Sequence, residues 1–290
     1  MAIHELPLDA ANLHGYYSPE LEPVLEIEPG DSVRISVPNA GWDLTADQKF
    51  EPRNPELDTG HPIAGPVAVG GAKAGKTLVV RIDEVVVGEW GVTWAPENHL
   101  VHWELGGGVG RALGFEVSLA PFLGVMGMPP PEAGVHPTFP PRRWGGNIDC
   151  KELVAGTTLY LPIAVDGVLL SAGDGHAAQG DGEVSQLAIE APVERAQLTL
   201  SLRDDLRLTT PIAWTPDAWL TFGFDEDLEE GAALALDAML ELMGREHGLE
   251  RREALALASV VVDLRVTQLV NGARGIHARL AHDAVRWTTI

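Results

Sequence analysis

The densest run of chemistry-bearing side chains in this sequence is SAGDGHAAQGDGEV, Ser171–Val184. It sets Asp174, His176, Gln179, Asp181 and Glu183 among Gly173, Gly175, Gly180 and Gly182. Glycine lets a backbone fold tightly and approach a ligand closely. Two residues apart on an extended chain, Asp174 and His176 point to the same face. An Asp, a His and a Glu that converge make a hard-to-borderline donor set for zinc or a similar dication. The same composition also suits a solvated loop with a calcium-like or purely hydrogen-bonded role. A second stretch, RRWGGNIDCKEL, places Asp149 after Gly145, Gly146 and Asn147 on a turn. Asp149 is a candidate metal ligand or general base there, or an Asx-turn residue bonded to its own loop. Cys150 has no base beside it in Ile148 or Lys151 and reads as a buried, inert thiol.

A third stretch, GGAKAGKT, matches the phosphate-loop pattern G-x-x-x-x-G-K-[ST] at Gly70, Gly75, Lys76 and Thr77. That chemistry needs a strand before the loop and a helix N-terminus after it. Thr77 instead opens TLVVRIDEVVV, a β-branched run without a helical stripe. The preceding HPIAGPVAVGG carries Pro62 and Pro66 and reads as a poor buried strand. Gly75 and Lys76 are therefore expected to be turn residues. Of the remaining histidines, His61 and His136 each precede a proline and sit on extended segments. His99 and His102, three apart, would share a face if helical.

The elements that must position these residues are mostly strands. PGDSVRISV, AGKTLVVRI and AGTTLYLPI share one design: a turn glycine, a polar residue, then Ser or Thr opening a β-rich run. Further strands are expected at Arg195–Leu202 and Val260–Leu269. A helix is expected over Leu228–His247, capped by Asp225 or Asp227, with Met239 and Met243 turned to the core. A short second helix is expected over Glu250–Ala258. The Pro- and Gly-rich segment Gly124–Gly146 reads as an ordered loop. The fold class is mostly β, stacked sheets or a β-sandwich with an α+β C-terminal part. A division into 1–123 and 124–290 is expected, as two parts or one interlocked domain.

Against 42 Asp and Glu the 290 residues carry 20 Lys and Arg, a formal net charge of -22. Such a surface repels nucleic acid and anionic membrane. The single cysteine excludes an intrachain disulfide. There is no basic start followed by an apolar run, and no apolar stretch of membrane-spanning length. A cytoplasmic protein is expected.

From Gly145 to Val184 the sequence resembles the acetamidase/formamidase family. The resemblance rests on Gly-Gly-Asn-x-Asp at Gly145–Asp149, on Leu-Tyr-Leu-Pro, and on Gly-Asp-x-His-Ala-Ala-Gln-Gly-Asp-Gly-Glu at Gly173–Glu183. TGHPIAGPVAVGG, LAPFLGVMGMPP and SVVVDLRVTQLVNGARGIHARL are similar to further family segments. The resemblance implies a mostly β fold and hydrolysis of a small amide to carboxylate and ammonia, with a divalent metal, zinc by expectation. Mapped through the motif, the metal residues are Asp149, Asp174, His176 and Glu183, with Glu183 a ligand or the base for water. Asn147, with loop N–H groups, would hold the tetrahedral oxyanion. The family pattern is departed from at Val37–Pro52, where a substrate-side Asp and Gln are often found, and at His61, where Asn is usual. A small amide substrate and a homo-oligomer are expected. A lactam or other cyclic C–N bond is the alternative substrate, and a non-catalytic small-ligand-binding β-sandwich the alternative class.

Overall fold

The computed structural model describes residues 1–95, 97 and 99–285. Two sheets carry the molecule. The larger has nine strands, in the order Ile3–Leu6, Ser32–Val37, Val193–Arg203, Thr77–Val87, Thr158–Pro162, Ile212–Trp214, Ala218–Asp225, Arg274–Ala281 and Val262–Gln268. All three turn-to-strand segments enter this sheet. Their alternating apolar residues, among them Val33, Ile35, Leu78, Val80, Leu159 and Leu161, fill the main core. The second sheet, of six strands, is built around Phe122–Gly127, Leu170–His176 and Ile63–Val69. Its core-facing residues Leu123, Met126, Leu170 and Ala172 belong to the same core. Both sheets take strands from before and after residue 123.

The Leu228–His247 helix has the expected bounds. Asp227 caps it, accepting from the backbone N–H groups of Glu229 and Glu230. Met239, Leu240 and Met243 pack with Ile276, Ala278 and Leu280 of the neighbouring sheet in a second core. The next helix, Arg251–Val261, runs past the expected end at Ala258, so the following strand begins only at Val262. A four-stranded meander, Trp90 to Ser118, completes the fold. His99 and His102 lie on its strand His99–Gly106, where alternation puts them on opposite faces rather than together. No helix among the described residues is long and apolar enough to cross a membrane.

Two expectations are corrected. Ile63–Val69 is a strand buried along its whole length despite Pro66. The pairing register with Leu170–His176 shifts between Leu170 and Ala172, opposite Pro66, so the missing N–H falls at an irregularity of the ladder. The start of Gly124–Gly146 is also not loop: Phe122–Gly127 is a fully buried strand paired with Gly145–Asn147. Its glycines are demanded by proximity. A Cβ on Gly127 would strike the backbone of Gly146.

The phosphate-loop pattern proves to be a tight turn. Gly75 has φ 80° with open space around it. Lys76 pairs with Asp204 at 2.9 Å. Thr77 starts a strand and gives its hydroxyl to the Leu206 carbonyl at 2.6 Å.

Candidate active site

At one end of the Leu170–His176 strand the side-chain alternation breaks. Leu170 and Ala172 face the main core, and the next position of that parity, Asp174, does not. Asp174 has φ 62°, in the left-handed region. On the paired strand Leu123 and Met126 both face the core, a spacing of three that regular pleating cannot give. The reversal turns Asp174 toward His176 on the side away from the core. Two residues apart, Asp174 and His176 then share one side, as their spacing suggests.

Three further residues meet this pair. The turn at Asp149 is clamped to the opposite strand: Ile148 N and Asp149 N both donate to the Gly124 carbonyl, at 2.9 and 3.2 Å. Asp149 takes φ 50° and Glu183 φ 46°. Left-handed backbone costs a non-glycine residue free energy, and such residues cluster where function holds them. The Glu183 loop is tied to the Val262–Gln268 strand by Gly182 N donating to the Thr267 carbonyl at 3.1 Å. The fifth residue, Glu190, was not anticipated. Its segment runs alongside the end of the Leu170–His176 strand, with Ala191 N donating to the Gly175 carbonyl at 2.8 Å and Ala177 N to the Ile189 carbonyl at 2.9 Å. The available signal was a lone carboxylate inside the apolar run LAIEAPV.

These five side chains are almost solvent-free, with exposures of 1–2 % for Asp149, Asp174, His176 and Glu190 and 6 % for Glu183. His176 Nε2 lies 3.3 Å from Asp174 Oδ2 and 3.2 Å from Glu190 Oε1. Its Nδ1 lies 3.9 Å from Asp149 Oδ1 and 3.0 Å from Gln179 Oε1. Gln179 fixes the ring. Its Nε2 donates to the Asp149 carbonyl at 2.7 Å. A carbonyl can only accept, so the amide nitrogen faces it and the amide oxygen faces His176. His176 therefore carries a proton on Nδ1, and in the neutral ring the Nε2 lone pair points at Asp174 and Glu190. Asn271, another residue without a sequence signal, donates its Nδ2 to Asp149 Oδ2 at 2.5 Å.

Burial, reinforced by Glu183, pushes the Asp149 carboxyl well above its ordinary range against the pull of His176. Burial raises Glu183 to about 8, opposed by His176 and reinforced by Glu190 and Asp174. Glu190 is also raised, by burial against the pull of His176. Burial acts the same way on Asp174, but His176 and His61 outweigh it and hold that carboxyl low. Burial would lower His176; Glu190 and Asp174 override it and hold the imidazole well above its usual value. Proton and dication thus compete for one nitrogen.

The donor set fits a dication. Among the described residues, Asp149 Oδ1, Asp174 Oδ1, Glu183 Oε2 and Glu190 Oε2 are buried without a hydrogen-bond partner. Unpaired buried carboxylate oxygens are costly, and a cation among them removes that cost. Asp174, His176 and Glu190 form one group able to hold an ion, and Asp149, His176 and Glu183 another. Gly124 keeps this space open: a Cβ there would run into Asp174 Oδ2, Asp149 Oδ1 and His176 Cε1. Asn147 stands at the end of its strand, 2 % exposed, with its Oδ1 unpartnered. Asp149, Asp174, His176 and Glu183 are thus brought together, and Asn147 is buried two residues before Asp149 in the chain. A cavity of about 440 Å³, lined by Thr93, Trp103, Gln179, Glu183 and Ser185 among others, reaches it from outside. A larger one, of about 850 Å³, lies on the meander around Trp90 and Phe115 and includes none of these site residues.

The chain is similar to a known family over most of its length. The model of the Acetamidase/Formamidase family matches residues 4–109 and 131–213. An acetamidase of Mycolicibacterium smegmatis is 48% identical over 48 residues, 17% of this chain and 12% of that protein. A formamidase of Methylophilus methylotrophus is 25% identical over 242 residues, 60% of each chain. The chain thus spans less than two thirds of the length of either curated relative. The crystal structure of an acetamidase from Bacillus halodurans superposes with a TM-score of 0.86 at 28% identity, covering 96% of this chain and 97% of that one. The chain belongs to the Acetamidase/Formamidase family.

Proposed function

We propose that this family member hydrolyses a small linear amide, of the formamide or acetamide kind, to its carboxylate and ammonia in a metal-dependent reaction. The observation that carries the reading is a buried imidazole, its tautomer fixed from behind, set among four carboxylates that each keep one buried oxygen without a hydrogen-bond partner. His176 Nε2, Asp174 and Glu190 would hold the metal, zinc being the ion that suits one nitrogen and two carboxylate donors. A dication bound there supplies Lewis acidity, polarising the amide carbonyl and lowering the pKa of water.

The chain's own groups do the rest. Asp149 and Glu183 lie together on the other side of His176, both pushed toward the protonated form. A carboxyl pair that shares protons near neutrality can take one from the attacking water and deliver it to the departing nitrogen. Glu183, which lines the cavity, is the base in this scheme, and Asp149 the neighbour that tunes it. Asn147 donates through its side-chain amide to the oxygen that gains charge. Gln179 keeps the His176 ring in place.

A panel of formamide, acetamide, longer linear amides and a five-membered lactam, read by ammonia release and ring opening with defined zinc, tests the reading. Turnover confined to short linear amides supports it. Turnover of the lactam alone would replace the linear substrate by a cyclic one, and no turnover of any amide by the zinc-loaded protein would leave a binding module.

A further inference from the structure

Next to Asp149 in the chain, Cys150 begins a second group of donors that shares no member with the acidic cluster. Cys150, Glu152 and His277 each offer one atom, all within 4.8 Å of one another. Cys150 Sγ is 3.2 Å from Glu152 Oε2, and His277 Nε2 is 3.8 Å from Glu152 Oε1. The cysteine and histidine come from distant parts of the chain, the first from the turn after Gly145–Asn147 and the second from the Arg274–Ala281 strand.

His277 points to a ligand. It is 0% exposed, its Nδ1 meets Thr267 Oγ1 at 2.8 Å, and its Nε2 has no hydrogen-bond partner among the described residues. A buried ring nitrogen left without a partner is costly. This one is aimed at a carboxylate and a thiol, the donor types that zinc takes. Zinc–sulfur bonds of about 2.3 Å and zinc–nitrogen or –oxygen bonds of about 2.0–2.2 Å place neighbouring tetrahedral donors roughly 3.3–3.6 Å apart. Cys150 Sγ and Glu152 Oε2, 3.2 Å apart, lie close to that range, and one donor atom from each of the three residues lies within 4.8 Å of the others.

The surroundings also suit an ion. Arg265 Nη1 holds Glu152 Oε1 at 3.2 Å, which leaves Oε2 turned to the thiol. Thr267 orients the imidazole. Partners of this kind fix the ligands of metal sites from outside. The neighbouring cation Lys151 is drawn away to Asp181 at 2.9 Å. Glu152 keeps 17% of its side chain exposed, which gives a route from solvent.

We propose that Cys150, Glu152 and His277 form a second metal site, distinct from the acidic cluster, for zinc or another dication that accepts thiolate. Binding forms a metal–sulfur bond and releases the thiol proton to solvent, with the fourth position left to water. The ion links the turn that carries Asp149 to the Arg274–Ala281 strand of the nine-stranded sheet.

Cobalt(II) as the probe tests this in the intact chain. There is one cysteine in the sequence, so a sulfur-to-cobalt charge-transfer band can arise at a single place. The protein is stripped with a chelator and titrated with cobalt(II), following near-ultraviolet absorption and bound cobalt. The wild type is expected to develop the band to a plateau, and Asp174→Asn to keep it. Cys150→Ser is expected to lack it and to bind about one cobalt fewer per chain. A wild type that binds cobalt without the band, or binds none, overturns the proposal, whether or not the variants fold.

Discussion

Two glycine-rich stretches of this chain invite chemistry, and their surroundings differ in kind. Gly70–Thr77 satisfies a phosphate-binding pattern at every position, yet Gly71 and Gly75 have open space where a side chain would go. Their use is the positive φ of a turn. The charged residues there end in exposed pairs, Lys73 with Asp166 and Lys76 with Asp204, each at 2.9 Å. Beside Asp174, Gly173, Gly175 and Gly124 are crowded, unlike Gly180 further along the same stretch. A Cβ on Gly173 would meet Pro62 and Ile63, one on Gly175 would meet Ala191 and Val193, and one on Gly124 would meet the carboxylates themselves. Glycines of the first kind bend the chain, and those of the second let elements come close enough to bury five ionisable side chains together. Crowding, not the pattern of letters, separates a turn from a site.

The sharpest way to break this contrast is to add one methyl group to each kind of glycine. Gly124→Ala is expected to lower ammonia release by at least about a hundredfold, since it intrudes among the reacting groups and a misplacement of about 1 Å can cost that much. Gly75→Ala, strained only by its φ, is expected to cost about 1 kcal/mol in denaturant unfolding with kcat unchanged. Equal activity of the two variants would remove the distinction.

A smaller effect is expected from Gln179→Leu, which keeps the volume and removes both hydrogen bonds that fix His176. Metal affinity, by titration against a chelator, should fall about 10–100-fold. Unchanged affinity would mean that the ring is oriented by other contacts.

A separate effect, on stability, contrasts two buried imidazoles. Burial lowers both, but Glu190 and Asp174 raise His176 well above the usual imidazole value, whereas His14, bonded to the Tyr16 carbonyl and to Ser171 Oγ, is pushed to about 4 by burial. The unfolded chain takes up the His14 proton near 6.5 and the folded one only near 4. Falling pH therefore favours the unfolded state across that window, and stability rises with pH through it by up to ~3 kcal/mol. His14→Gln should flatten the unfolding free energy between pH 6.5 and 4. An unchanged slope would mean that other groups account for it.

Asp149, Asp174, His176 and Glu183 were legible as a cluster because they sit in two short, glycine-punctuated motifs whose residue types already imply convergence. Glu190 and Asn271 were not, because they reach the cluster only through sheet pairing and a distant loop. Phe122–Gly127 was hidden by its own glycines, which read as loop letters while serving close packing. The reversal at Asp174 was harder to read, since aspartate is only a weak mark of a left-handed backbone. Most of the β architecture followed from alternation and turn residues. The way the strands pair followed from contacts that lie far apart in the chain.

The central claim is that Asp174, His176 and Glu190 hold a dication on which amide hydrolysis depends. Metal content and ammonia release from acetamide, measured together in the wild type, Asp174→Asn and Glu190→Gln, test it most directly. The account predicts about one zinc-exchangeable ion at this site in the wild type, and loss of both that ion and turnover in each variant. Folded variants that keep the full metal complement and full ammonia release would contradict it.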